Sequence, residues 1–156
     1  MLTSRAAALL LHALLISTPL QAHAGFTMEE EFAIHPDGTP TYPEKLRDTL
    51  RRGEAPPQWK DDRKLYELVH SDDLDAFTDY MQQLNQAEIF AADGSALDIV
   101  EWRQAVRDDT HYTNLLKEGF PEVHSLFMSG TDDEVQEFLR AQHAAQAAAA
   151  SQKSEL

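Results

Sequence analysis

Beyond residue 24 the chain offers five histidines for acid–base or metal chemistry: His35, His70, His111, His124 and His143. No two of them lie within ten residues of each other, so no helix face can present a His pair to a metal. There is no His-Glu-x-x-His sequence, no Asp-x-Asp-x-Asp-Gly loop, no phosphate-cradling run among the six glycines, and no cysteine. A metal site would have to assemble across the fold. No metal, no cofactor and no catalytic residue are therefore expected. A cofactor-free hydrolase is the rival class, and it would need His70, His111 or His124 to meet two acids in one concave pocket. Four acidic doublets, Asp61-Asp62, Asp72-Asp73, Asp108-Asp109 and Asp132-Asp133, could in principle share a proton or a Ca²⁺. Each sits at a predicted helix start, where a carboxylate accepts orphan N–H groups and meets the positive end of the helix dipole. Capping is the favoured reading of all four.

The elements that must position these groups are helical. Residues 63–70 form a first helix with Leu65, Leu68 and Val69 on one stripe. Ser71 or Asp72 caps a second with Leu74, Phe77, Met81 and Leu84 at three- and four-residue intervals. Residues 85–94 connect. Ser95 caps a third helix carrying Leu97, Val100 and Val106. Asp109 opens a fourth with Tyr112, Leu115 and Leu116, closed by Gly119. Pro121 opens a fifth with Val123, Leu126 and Phe127, stopped at Gly130. Thr131 and Glu134 make a capping box for a sixth with Val135, Phe138 and Leu139. Six helices in three hairpins, without strand alternation, predict an all-α stack over 62–143. Ahead of it, 25–61 reads as an irregular arm that holds five of the seven prolines, a turn at Asp37-Gly38-Thr39-Pro40 and one short helix over 43–52. Residues 144–156 are an Ala-rich tail that extends the last helix.

Residues 1–24 have the layout of a secretory signal peptide: Arg5, an apolar run from Ala6 to Ile16, Pro19, and Ala22-His23-Ala24 before the cut. The run is about half of the roughly 20 residues a membrane span requires, so no anchor is expected after cleavage behind Ala24. A periplasmic protein is the expectation, and its lack of cysteine means that it folds on packing alone. The whole chain carries 13 basic and 27 acidic side chains, a net charge of −14. That balance repels nucleic acid and anionic membrane surfaces and attracts a basic protein. It also serves plain solubility.

The hairpins look alike. Leu65 to Phe77, Asp93 to Val100, and Val123 to Gly130 with Asp133 to Leu139 follow one another as inner helix, turn and outer helix. Together they resemble ankyrin repeats, with His124 in the place of the motif's His. The starts at Leu65 and Leu97 are 32 residues apart, near the 33-residue ankyrin period. The motif's Pro is absent from all three starts, and the second finger is missing because Leu97 to Val123 spans only 26 residues. The resemblance implies an ankyrin-like solenoid of about three hairpins that binds another protein without a cofactor. Its concave face would carry His70, Trp102 and Met128, each five residues after a leading apolar residue. Glu67 on the same inner helix, and Glu88 and Phe90 on a finger over residues 86–93, complete the partner-binding set. The opposing readings are that Trp102 and Met128 fill core gaps and that Ile89 and Phe90 tuck under the arm. Inhibitor or immunity-type binding, accessory support of an envelope enzyme, and a structural envelope role all stay open. The partner's identity and the oligomeric state are not encoded in the pattern.

Overall fold

A computed structural model describes residues 29–154. The expected signal peptide and its cleavage point lie outside the described residues. Within them the chain forms seven α-helices: α1 (Pro43–Arg51), α2 (Arg63–Val69), α3 (Leu74–Ile89), α4 (Ile99–Asp108), α5 (Thr110–Gly119), α6 (Pro121–Ser129) and α7 (Asp132–Ser154). Short 3-10 turns cover Glu30–Phe32 and Pro57–Trp59. Among the described residues the only β-pairing is two isolated bridges, so the protein is all-α.

Local chemistry sets the helix starts. Asp62, Asp73, Asp98 and Asp109 each accept an N–H from the residue three positions on, at 2.9 to 3.0 Å. Thr131 and Glu134 bond each other's N–H groups at the start of α7. Three starts or ends differ from expectation. The cap of α3 is Asp73, and this helix runs on to Ile89, past the expected end. The cap of α4 is Asp98 rather than Ser95. Ser95 is already committed: its N–H and hydroxyl both donate to Asp93 Oδ1, at 2.9 and 2.6 Å. The helix face shifts accordingly. Leu97 and Val100, expected inside, are 63% and 66% exposed, and α4 packs through Trp102, Ala105 and Val106.

The helices gather around two cores, one for each of two units. Leu46, Leu50, Leu65, Val69, Phe77 and Met81 make one core. The other holds Trp102, Val106, Val123, Phe127, Val135 and Leu139, joined by Ala96, Tyr112 and Leu116. These first six pair off one for one. Leu46 and Trp102, like Leu50 and Val106, are 56 residues apart; the remaining four pairs are 58 apart, as Leu65 and Val123 are. The two extra residues fall where the second unit has α5 and the first has only the turn at Pro57–Trp59. The stretch expected as an arm thus supplies Leu46 and Leu50 to the first core.

Each unit opens with a finger of the same design. In the first, His35 N–H donates to Thr39 O, Gly38 N–H to His35 O and Thr41 N–H to Ala33 O, at 2.9 to 3.0 Å. In the second, Ala91, Gly94 and Leu97 repeat those bonds to Ser95, Ala91 and Ile89, at 2.8 to 2.9 Å. Both turns are Asp-Gly, with Gly38 at φ 86° and Gly94 at φ 92°, the left-handed region that favours glycine. A Cβ on Gly94 would also collide with the side chain of His143 on α7.

Candidate functional site

The first finger is clamped from three helices. Trp102 Nε1–H on α4 donates to Pro36 O at 3.2 Å. On α3, Gln82 Nε2 donates to Asp37 O and Asn85 Nδ2 to Gly38 O, both at 2.9 Å. His35 Nδ1 and Asp109 Oδ2, at the start of α5, lie 2.7 Å apart. The contacts of Trp102 and Asp109 form the seam between the units, and those of Gln82 and Asn85 hold the finger to its own unit. Beside them opens a cleft of about 400 Å³ lined by Ile34, His35 and Thr41 on one side and by Glu101, Asp108 and His111 on the other.

The seam carries unusual charges. Burial lowers the basicity of His35, but the hydrogen bond and charge of Asp109 and the charge of Asp37 outweigh it, and the net shift is upward. Burial opposes ionisation of Asp109; the bonds from His35 and Tyr112 N–H and the charges of His35 and His111 win, and its carboxyl is held down. Asp37 goes the other way. Burial pushes it up to about 6 against the hydrogen bonds of Thr39. The buried Tyr112 hydroxyl has no hydrogen-bond partner among the described residues, and burial with the charges of Asp37 and Asp109 drives it well above 10. A His–carboxylate pair can move a proton.

A second concavity is larger. A groove of about 690 Å³ runs between α3 and α7 over the second finger. Asp79, Gln82 and Gln86 form one wall, Phe90, Ala91 and Ala92 the floor, and His143, Gln146 and Ala147 the other wall. Gln86 Nε2 and Gln146 Oε1 are both shut off from solvent without a hydrogen-bond partner. A buried amide left unmatched is costly, and here one spare donor and one spare acceptor line the same groove.

The expected contact stripe is not one surface. Trp102 is 1% exposed and packs edge-on against Phe90 and Phe127, with ring centroids 6.1 and 5.2 Å away. It is the second unit's counterpart of Leu46 and belongs to the core, which corrects its assignment to a binding face. Met128 is half-buried against that core. Phe90 is half-buried there too, on the floor of the groove. Of the inner-helix set only His70 and Glu67 are exposed: His70 stacks on Tyr66 at 4.4 Å, and Glu67 pairs with Arg63 at 3.6 Å. Glu88 is exposed on the last turn of α3, outside the finger, which covers residues 90–96; partial burial raises its carboxyl. Sequence reasoning missed the glutamines, which carry no motif. It also missed His35 with Asp37 and Asp109. The signal for that seam was the recurrence of Asp-Gly-Thr at 37–39 as Asp-Gly-Ser at 93–95.

No protein-family model matches the chain, and neither a curated protein nor a solved structure matches it.

Proposed function

We propose that this is an exported binding module that takes an extended segment of a basic protein into the groove between α3 and α7. The observation that carries the reading is that Gln86 and Gln146 both line one groove while Gln86 Nε2 and Gln146 Oε1 are buried without a partner, so that turning the two side chains toward an occupant gains hydrogen bonds and breaks none at these atoms. An extended peptide supplies what they lack, a backbone C=O and N–H. The alanines at 87, 91, 92, 147 and 150 leave room for a main chain to approach. Charge supports a basic occupant: Asp79 lies on the wall, the nearby Arg140 is tied to Asp93 at 3.1 Å, and the chain as a whole carries −14. Two finger-and-helix units repeat at 56 to 58 residues, a repeated architecture of the kind that presents binding surfaces, although the spacing is not a multiple of the 33-residue ankyrin period. Inhibition of the bound protein and accessory support of it are both compatible with such a grip.

The test places a photo-crosslinking side chain at Gln83, an exposed residue on the groove wall, and exposes the protein to an envelope extract at low salt. Crosslinks that map to basic, extended segments and vanish in Ala147→Trp, which fills the groove from an exposed helix position, carry the reading. Crosslinks that survive this substitution move the interface to the exposed Tyr66, Glu67 and His70 face. No crosslink, with the helical fold intact, overturns the proposal.

A further inference from the structure

We infer that the seam between the first finger and the second unit is a pH-operated latch, closed when His35 is a cation on Asp109 and Asp37 is a neutral acid, and loosened when both have lost their protons. The inference goes beyond the binding reading and needs no partner for its test.

Geometry places the titrating groups at the joint itself. His35 and Asp109 are 74 residues apart in sequence, yet 2.7 Å apart across the seam, with side chains only 17% and 18% exposed. Solvent screens such a pair weakly. Asp37 is 8% exposed in the same turn, and the carbonyls of Pro36, Asp37 and Gly38 are the three that Trp102, Gln82 and Asn85 grip. A charge appearing on Asp37 therefore appears within the grip.

The surroundings make the loss of protons costly. Facing His35 are Asp37 from its own finger, Asp109 and His111 from α5, the last with rings 5.3 Å apart, and Glu101 and Asp108 from α4 across the cleft. Neither Lys nor Arg lines that cleft. Once His35 is neutral and Asp37 is ionised, the carboxylates of Asp37, Asp109, Glu101 and Asp108 border the seam without the His35 cation to offset them.

The sign follows from linkage. His35 is raised, so its contribution is complete below pH 6.5 and is lost as pH rises through its higher folded value. Asp37 is raised from 3.8 to about 6, so the stability of its neutral form is complete below 3.8 and is lost on the way up to 6. Asp109 is lowered, so its contribution fades only below 3.8. The seam is tightest in mild acid and loosens above neutrality.

The Trp102 indole N–H, donated to Pro36 O, reports the latch directly. Its hydrogen-exchange protection is measured in the full chain at pH 4.5 and 8, corrected for intrinsic exchange, with the Phe77 amide of the first core as reference. Protection of Trp102 is expected to fall about tenfold or more relative to Phe77, the equivalent of one pKa unit. In His35→Gln/Asp37→Asn that relative fall disappears. Equal changes at both sites, or a double variant that keeps the wild-type fall, overturn the latch. Should the double variant fail to fold, NMR titration of His35 in the wild type decides: a pKa above 6.5 supports the latch, and one at or below 6.5 removes it.

Discussion

Asp37 and Asp93 hold the same place in two fingers of the same design and end in opposite states. Both accept the N–H two residues on, from Thr39 and Ser95, at 2.9 Å. Burial pushes Asp37 up to about 6, while Ser95's hydroxyl and N–H, with Arg140, bring the exposed Asp93 down to about 2. The backbone of the turn is shared, so it does not cause the difference. Cover does: the first finger is roofed by Trp102 and Asp109 of the second unit, and the second is held by Arg140, Gln136 and His143 of α7, with no third unit upon it among the described residues. One motif thus gives a buried hinge in one place and an open groove floor in the other.

The deepest cut at this comparison is the core pair beneath the fingers. Trp102→Ala is expected to cost about 4 kcal/mol in urea unfolding, and Leu46→Ala about 3 kcal/mol, since both empty a filled core site. Trp102→Ala should also free the first finger, read as faster exchange of the Thr41 and His35 amides. A Trp102 variant of unchanged stability would contradict the core placement. Next come the two aspartates. Asp37→Asn keeps an oxygen for Thr39 and removes the buried charge, so at pH 8 it should stabilise the fold by about 2 to 3 kcal/mol and leave it unchanged below pH 3.8. Asp93→Asn should act weakly and with opposite sign, lowering the melting temperature slightly at neutral pH. Its contribution exists above 3.8 and is lost as pH falls toward 2. Equal pH profiles for the two variants would erase the distinction between the fingers. The glycines give a smaller contrast. Gly94→Ala meets both a left-handed backbone and His143, and should cost about 2 kcal/mol or more; Gly53→Ala, at φ 83° in open space, should cost about 1 kcal/mol. The caps are expected to match the Gly53 effect, at about 1 kcal/mol each for Asp73→Ala and Asp98→Ala by thermal melting.

Much of the helical framework was legible along the chain. Pro43 and Pro121 begin helices as their fixed φ suggests, Asp62 and Asp109 cap as expected, and Thr131 with Glu134 closes its box. The start of α4 differs from expectation because Ser95, a good cap by type, is already engaged in the finger, which leaves the cap to Asp98. All six helices expected over 62–143 are present, and the spacing of their repeat differs from the expected one. Local similarity among 65–77, 93–100 and 123–130 suggested a period of 32, whereas the two cores repeat at 56 to 58. The candidate site was the least legible part. Trp102 falls on the expected contact stripe, five residues after Leu97, yet it is buried while Leu97 and Val100 face solvent.

The sequence by itself determined the helices, their caps, the two Asp-Gly turns and the strong acidity, because each depends on groups within about four residues or on simple counting. Tertiary structure alone decided that Trp102 roofs the first finger, that His35 meets Asp109 across 74 residues, and that Gln86 and Gln146 face one groove without partners. Burial and its effect on charge come from elements distant in the chain, and no local pattern states which of them will close over which.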